Sequence, residues 1–147
     1  MNYFEDELRK MLTYELESGE LRKIDDSTPI FSALMKSYPV SGSKIAWSKV
    51  QNSIERAETN LSIQSTSFIE FFVEMNEKFD LSGLVVYAGD SAIDFALEGS
   101  VDIMLRSLPK LLEVPQHHYF VGPGFSWCIC LTMEGDMAFG LSNNSKL

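Results

Sequence analysis

The apolar positions of this chain change period along its length, from helical spacing in the first half to continuous or alternating runs in the last third. From Tyr3 to Leu16, the residues Phe4, Leu8, Met11, Leu12 and Leu16 recur at three- and four-residue intervals. Glu5, Asp6 and Glu7 fall in the first turn, where the helix dipole favours acids. The pattern predicts an amphipathic helix that ends near Gly19. Asp26-Ser27-Thr28-Pro29 places a capping side chain before an early-helix proline and opens a short helix that stops before Pro39. Ser43 then caps a third predicted helix, with Ile45, Ala46, Val50, Ile54 and Ala57 on one side, running to about Glu58. Ser67 and Glu70 have capping-box spacing, which predicts a helix over Phe68 to Phe79.

Beyond the turn at Asp80-Leu81-Ser82-Gly83 the run Leu84 to Ala88 is continuously apolar and β-branched, as a buried strand is. Gly89-Asp90-Ser91 turns the chain into two expected short helices, about Ala92 to Glu98 and Val101 to Leu112, with Gly99-Ser100 as the break and Pro109 limiting the second. The rest reads as β: His118 to Val121, a Gly122-Pro123-Gly124 turn, Ser126 to Met133, a Glu134-Gly135-Asp136 turn, and Met137 to Leu141. Residues 142–147 read as a frayed tail. The expected fold is α+β, one domain over residues 1–147, with N-terminal helices packed on a C-terminal, largely antiparallel sheet.

Composition sharpens this. At 45% hydrophobic and 12% aromatic, the 147 residues can build a core without a metal or disulfide framework. Cys128 and Cys130 are one residue apart, so on a strand they share a face and are expected as buried free thiols; Trp127 lies on the opposite face, either core or half-exposed. The opening residues mix acids and bases and carry no apolar leader, and no apolar run reaches the length of a membrane span, so a cytoplasmic protein is expected.

Charge is the unusual property. With 12 Lys and Arg against 21 Asp and Glu, the net charge is −9, which repels nucleic acid and anionic membranes and suits either solubility or a basic partner. Most of it sits between residues 70 and 102, where Glu70, Glu74, Glu77, Asp80, Asp90, Asp94, Glu98 and Asp102 face the single base Lys78. Asp90, Asp94, Glu98 and Asp102 step by four, which on a continuous helix aligns like charges that repel each other. Glu134 and Asp136 form a further acidic pair at a hairpin tip, without the loop of acids that calcium needs.

Catalytic patterns are incomplete. Gly89-Asp90-Ser91-Ala92 after a buried strand resembles the serine block of the GDSL esterases, but the D-x-x-H pair that supplies the base is missing, because Val114 and Pro115 stand three residues before His117 and His118. The expectation there is structural, with Asp90 or Ser91 capping a following helix. His117 and His118 are adjacent and point to opposite faces of a strand, so at most one lines a given site. A mixed site with Cys128 and Cys130 has C-x-C rather than the usual C-x₂-C spacing. No catalytic residue, metal or cofactor is expected.

The run Leu111 to Phe120, with Ser126-Trp127-Cys128 and Thr132 to Gly140, resembles small bacterial immunity proteins that accompany polymorphic or contact-dependent toxins. The resemblance covers about the last 40 residues and implies a stoichiometric inhibitor that binds a cognate toxin domain and blocks it. Toxin nucleases are commonly basic, and charge complementarity would speed the encounter. Glu70, Glu74, Glu77, Asp90, Asp94, Glu98, Asp102, Glu134 and Asp136 are the expected contact residues. The alternatives are a small hydrolase or metal-dependent enzyme using His117 or His118 with Ser91 or the cysteines, and an acidic adaptor module.

Overall fold

A computed structural model of the chain describes residues 2–143. The single helix expected from Tyr3 to near Gly19 is two, α1 (Tyr3–Met11) and α2 (Thr13–Ser18), separated at Leu12, and the second ends at Gly19 in the left-handed conformation. Then come β1 (Arg22–Ile24), α3 (Thr28–Ser37), the short hairpin of β2 (Val40–Ser41) and β3 (Lys44–Ile45), and β4 (Ile54–Ala57). The chain continues through α4 (Gln64–Phe79), β5 (Leu84–Gly89), β6 (Ala96–Ser100) and α5 (Val101–Leu111), and ends in β7 (His118–Val121), β8 (Trp127–Leu131) and β9 (Asp136–Leu141). The fold is α+β. Seven strands form one sheet in the order β1-β6-β5-β7-β8-β9-β4, with antiparallel pairing at every step.

Both faces of that sheet are covered. On one, Val85, Tyr87, Phe120, Trp127, Ile129 and Phe139 pack with Leu8 of α1, Leu12 between α1 and α2, Phe68, Phe71, Phe72 and Met75 of α4, and the apolar stripe of α5. On the other, Tyr119, Val121, Cys128, Cys130 and Ala138 pack under Leu34 of α3, Ile45 of β3 and Val50. Trp127 is therefore core, 1% exposed, and the cysteines are core on the other side. Burial raises the Cys128 thiol well above its ordinary range and pushes that of Cys130 up to about 12, even though Trp47 bonds to the latter. We expect neither thiol to react with a thiol reagent at pH 8 within an hour until denaturant is added. Prompt labelling of the folded protein would contradict the packing of this face.

Three helical expectations are corrected. Residues 43–58 are not a helix: they form the β2–β3 hairpin, a 3-10 turn at Trp47–Lys49, and β4, which pairs with β9 at the sheet edge. The helical spacing of Ile45, Val50 and Ile54 is coincidental; Ile45 and Val50 pack on one face of the sheet and Ile54 against the core on the other, and pairing with a distant strand decides the conformation. Residues 92–98 are not a helix either, because Ala96–Ser100 is a central strand held between β1 and β5. Asp90 and Ser91 thus cap no following helix. The helix expected from Phe68 already begins at Gln64, so Ser67 and Glu70 form no capping box; the Ser67 hydroxyl donates instead to Glu58 at 3.0 Å.

Other expectations stand. Asp26 accepts the Thr28 N–H at 2.9 Å at the start of α3, and α5 starts at Val101 as expected, although Gly99 and Ser100 end β6 rather than break two helices, and α5 runs through Pro109 to Leu111 rather than being limited by it. The sheet draws its two edge strands, β1 and β4, from the N-terminal half rather than from the C-terminal part alone. Of the expected tail, Ser142 is tied down by bonds to Ser126 and Phe125, and residues 144–147 lie outside the described residues.

Candidate functional site

Antiparallel pairing brings the ends of β1, β5 and β8, and the starts of β6, β7 and β9, to one end of the sheet. The connections there carry acids from distant parts of the sequence: Asp25 and Asp26 after β1, Asp90 and Asp94 after β5, and Glu134 and Asp136 between β8 and β9. Backbone bonds join these segments. The Ser27 N–H donates to the Asp94 carbonyl at 2.9 Å, Asp90 N–H to the His117 carbonyl at 3.3 Å, and Glu58 N–H to the Gly135 carbonyl at 2.9 Å.

The segment from Asp90 to Phe95 has no regular structure, and side chains from the start of α1 and from the approach to β7 fix it. Asn2 and Glu5 form a capping box at the start of α1. The second oxygen of Glu5 accepts the Asp94 N–H at 3.0 Å, and the Asn2 amide donates to the Ala92 carbonyl at 2.7 Å. The bond from Asp94 holds the Glu5 carboxyl below its usual range, with burial opposing. From the other side, Gln116 accepts the N–H groups of Ala92 and Ile93 at 2.9 and 3.3 Å. The Asp90 carboxylate accepts the His117 N–H at 3.0 Å. Gly89 makes this possible, since a Cβ there would lie within about 2 Å of the Gln116 amide.

Gln116 also leads inward. Its amide donates to the Tyr87 hydroxyl at 3.0 Å, which lies 2.7 Å from Nδ1 of His118, and all three side chains are buried. With Gln116 as donor, the Tyr87 hydrogen is free to bond Nδ1 of a neutral imidazole. A protonated Nδ1 would compete for the same phenol oxygen and leave that hydrogen without an acceptor. Burial in first place, and the neighbouring His117, lower the His118 pKa to about 4.

His117 sits at the sheet end. Its Nδ1 accepts the Met133 N–H at 2.9 Å, and its ring lies 3.8 Å from Asp90 and 4.0 Å from Glu134. The Glu134 carboxyl is lowered by its own backbone N–H and by Thr132, with Lys44 and His117 contributing. The turn needs Gly135, whose φ is +95° and where a Cβ would come 2.0 Å from the Glu58 carbonyl.

The nine acids expected at an interface therefore divide. Asp90, Asp94, Glu134 and Asp136 meet at this end. Glu70, Glu74 and Glu77 lie on the exposed face of α4, where Glu74 is bound by Arg56. Glu98 is on β6 in an ion pair with Arg22 at 2.8 Å, and Asp102 is in the first turn of α5 at the opposite end of the sheet. The four-residue steps from 90 to 102 do not form a stripe, because the chain passes from loop to strand to helix between them. The sequence reading missed Asp25, which no local pattern singles out, and read Asp26 only as a capping residue.

Exposed apolar side chains collect here as well. Tyr3 and Phe4 flank the Asn2 cap, Met133 adjoins Glu134, and Leu61 and Ile63 precede the start of α4, where Gln64 donates to the Glu58 carbonyl. The pairing of His118 with the cysteines is not assembled. Cys128 and Cys130 face the α3 layer and His118 the α4 layer, so the sheet separates thiols from imidazole. Among the described residues, no three His, Cys, Asp or Glu side chains group as metal ligands, and no helix is long and apolar enough to cross a membrane. Compared with models of known families and with curated proteins, the chain matches none.

Proposed function

We propose that this chain is a stoichiometric protein-binding inhibitor of the immunity type, which covers a basic toxin domain with the acidic end of its sheet. The observation that carries the reading is the meeting of three acidic connections, far apart in sequence, with exposed aromatic and aliphatic side chains on one fixed surface. Charges at such a surface steer a basic partner, and the apolar groups supply area to bury once it docks. Inhibition is by occlusion. Rigidity favours it, because a segment already held by Asn2, Glu5 and Gln116 loses little freedom on binding.

The test begins with the protein encoded beside this one's gene. Its toxic domain should form a one-to-one complex with this chain and lose its toxicity on co-expression. Asp94→Lys with Glu134→Lys should lower the association rate at low salt by about tenfold or more and flatten its salt dependence. Folding should change by under about 1 kcal/mol, since both carboxylates are exposed. Absence of a complex, or an unaltered on-rate in the folded double variant, would return the acids to a role in solubility.

A further inference from the structure

One stripe of α1 borders a surface cleft instead of being fully buried in the sheet's cores. Tyr3, Phe4, Glu7 and Met11, together with Glu113 and Val114 just past α5, line an open cleft of about 430 Å3 beside the acidic end. That volume is at the low end for ligand sites, so the cleft suits a side chain better than a cofactor. Tyr3 is 70% exposed and meets Phe4 edge-on, with ring centroids 5.4 Å apart. Met11 and Val114 pack against the core beneath. Glu7 lies 3.4 Å from Lys10, whose side chain is largely in solvent, and Glu113 is exposed with no ion pair among the described residues.

The mixture of groups selects the occupant. An apolar side chain would cover two carboxylates without pairing them, and an anion would be repelled. A guanidinium satisfies both parts, because its planar face stacks on aromatic rings while its N–H groups bond carboxylates. We propose that the cleft between α1 and the end of α5 seats an arginine side chain of a basic protein partner, stacked on Tyr3 or Phe4 and paired with Glu7 and Glu113. The inference rests on the basic-partner reading above and names the contact that such a partner would make.

It can be tested without that partner. Nα-acetyl-arginine amide, titrated into the whole protein and followed by NMR, should shift the Tyr3 and Phe4 rings and the Met11 methyl with a dissociation constant on the order of millimolar. The citrulline analogue, which has the same shape and no charge, should bind at least about fivefold more weakly. Glu7→Gln with Glu113→Gln should weaken arginine binding about tenfold, and Tyr3→Ser about fivefold, with the remaining spectrum unchanged. No saturable shift at these residues, equal binding of citrulline, or an unaffected double variant would each overturn the proposal. Failure here leaves the association kinetics of Asp94 and Glu134 to decide the inhibitor reading separately.

Discussion

Trp127→Ala should destabilise the protein by about 3–5 kcal/mol, a large share of the stability expected for a chain of this size. The indole is 1% exposed and lies 6.5 Å from the Phe72 ring and 6.4 Å from the Phe139 ring. It also fills the space left by Gly122, where a Cβ would fall 2.3 Å from the ring. Truncation therefore opens a cavity between β8 and α4 that aromatic neighbours on fixed elements cannot close. Urea unfolding of the two proteins at pH 7.5 measures the difference. A loss below about 1 kcal/mol would mean that Trp127 is half-exposed, the other reading its position on the strand allowed.

The second large effect depends on pH. The unfolded chain takes up a proton on His118 near the ordinary histidine value, about 6.5, whereas the folded chain does so only near pH 4. Between those values the unfolded state binds more protons, so stability falls as the pH is lowered; above about pH 7 the effect is absent. The depressed pKa corresponds to about 3 kcal/mol lost between pH 7 and pH 4. Carboxylates add their own slope in acid, so the informative quantity is a difference. His118→Gln should have a stability that declines less steeply, so that the gap between the two proteins shifts by about 3 kcal/mol across this range. Parallel pH profiles would show that His118 is not held neutral in the core. Gln116 ties Tyr87 and His118 to the Ala92 and Ile93 backbone, so the protection factors of amides in that segment, corrected for the intrinsic exchange rate at each pH, should fall as the pH is lowered over the same interval.

How the inhibitor reading fares is independent of both results. Trp127 and His118 report on the core beneath the acidic end, whereas Asp94, Glu134 and the α1 cleft report on what its surface meets. Variants of the second kind should leave the unfolding curve nearly unchanged, which separates a lost contact from a lost fold.

Local signals were sufficient where an element is specified by its own side chains. The periodicity of α1 and α5, the Asp26 cap before α3, the continuous apolar run of β5 and the three C-terminal strands were legible for that reason. Alternation also placed Cys128 and Cys130 on one face and Trp127 on the other, because side chains on a strand have a strict period of two. What alternation could not decide is whether the second face is covered, since that depends on α3 and the β2–β3 hairpin folding over it.

Tertiary structure decided the rest. Residues 43–58 and 92–98 carry patterns compatible with a helix, and pairing with β9, β5 and β1 outweighs that weak preference. The acidic end is of the same origin. Asp25, Asp94 and Glu134 are about 40 to 110 positions apart along the chain, and only the order of strands in the sheet brings them together. By itself the sequence determined the excess of negative charge, the α+β class and the free thiols; where that charge gathers, and what the histidine beneath it touches, follow from long-range pairing that no local pattern encodes.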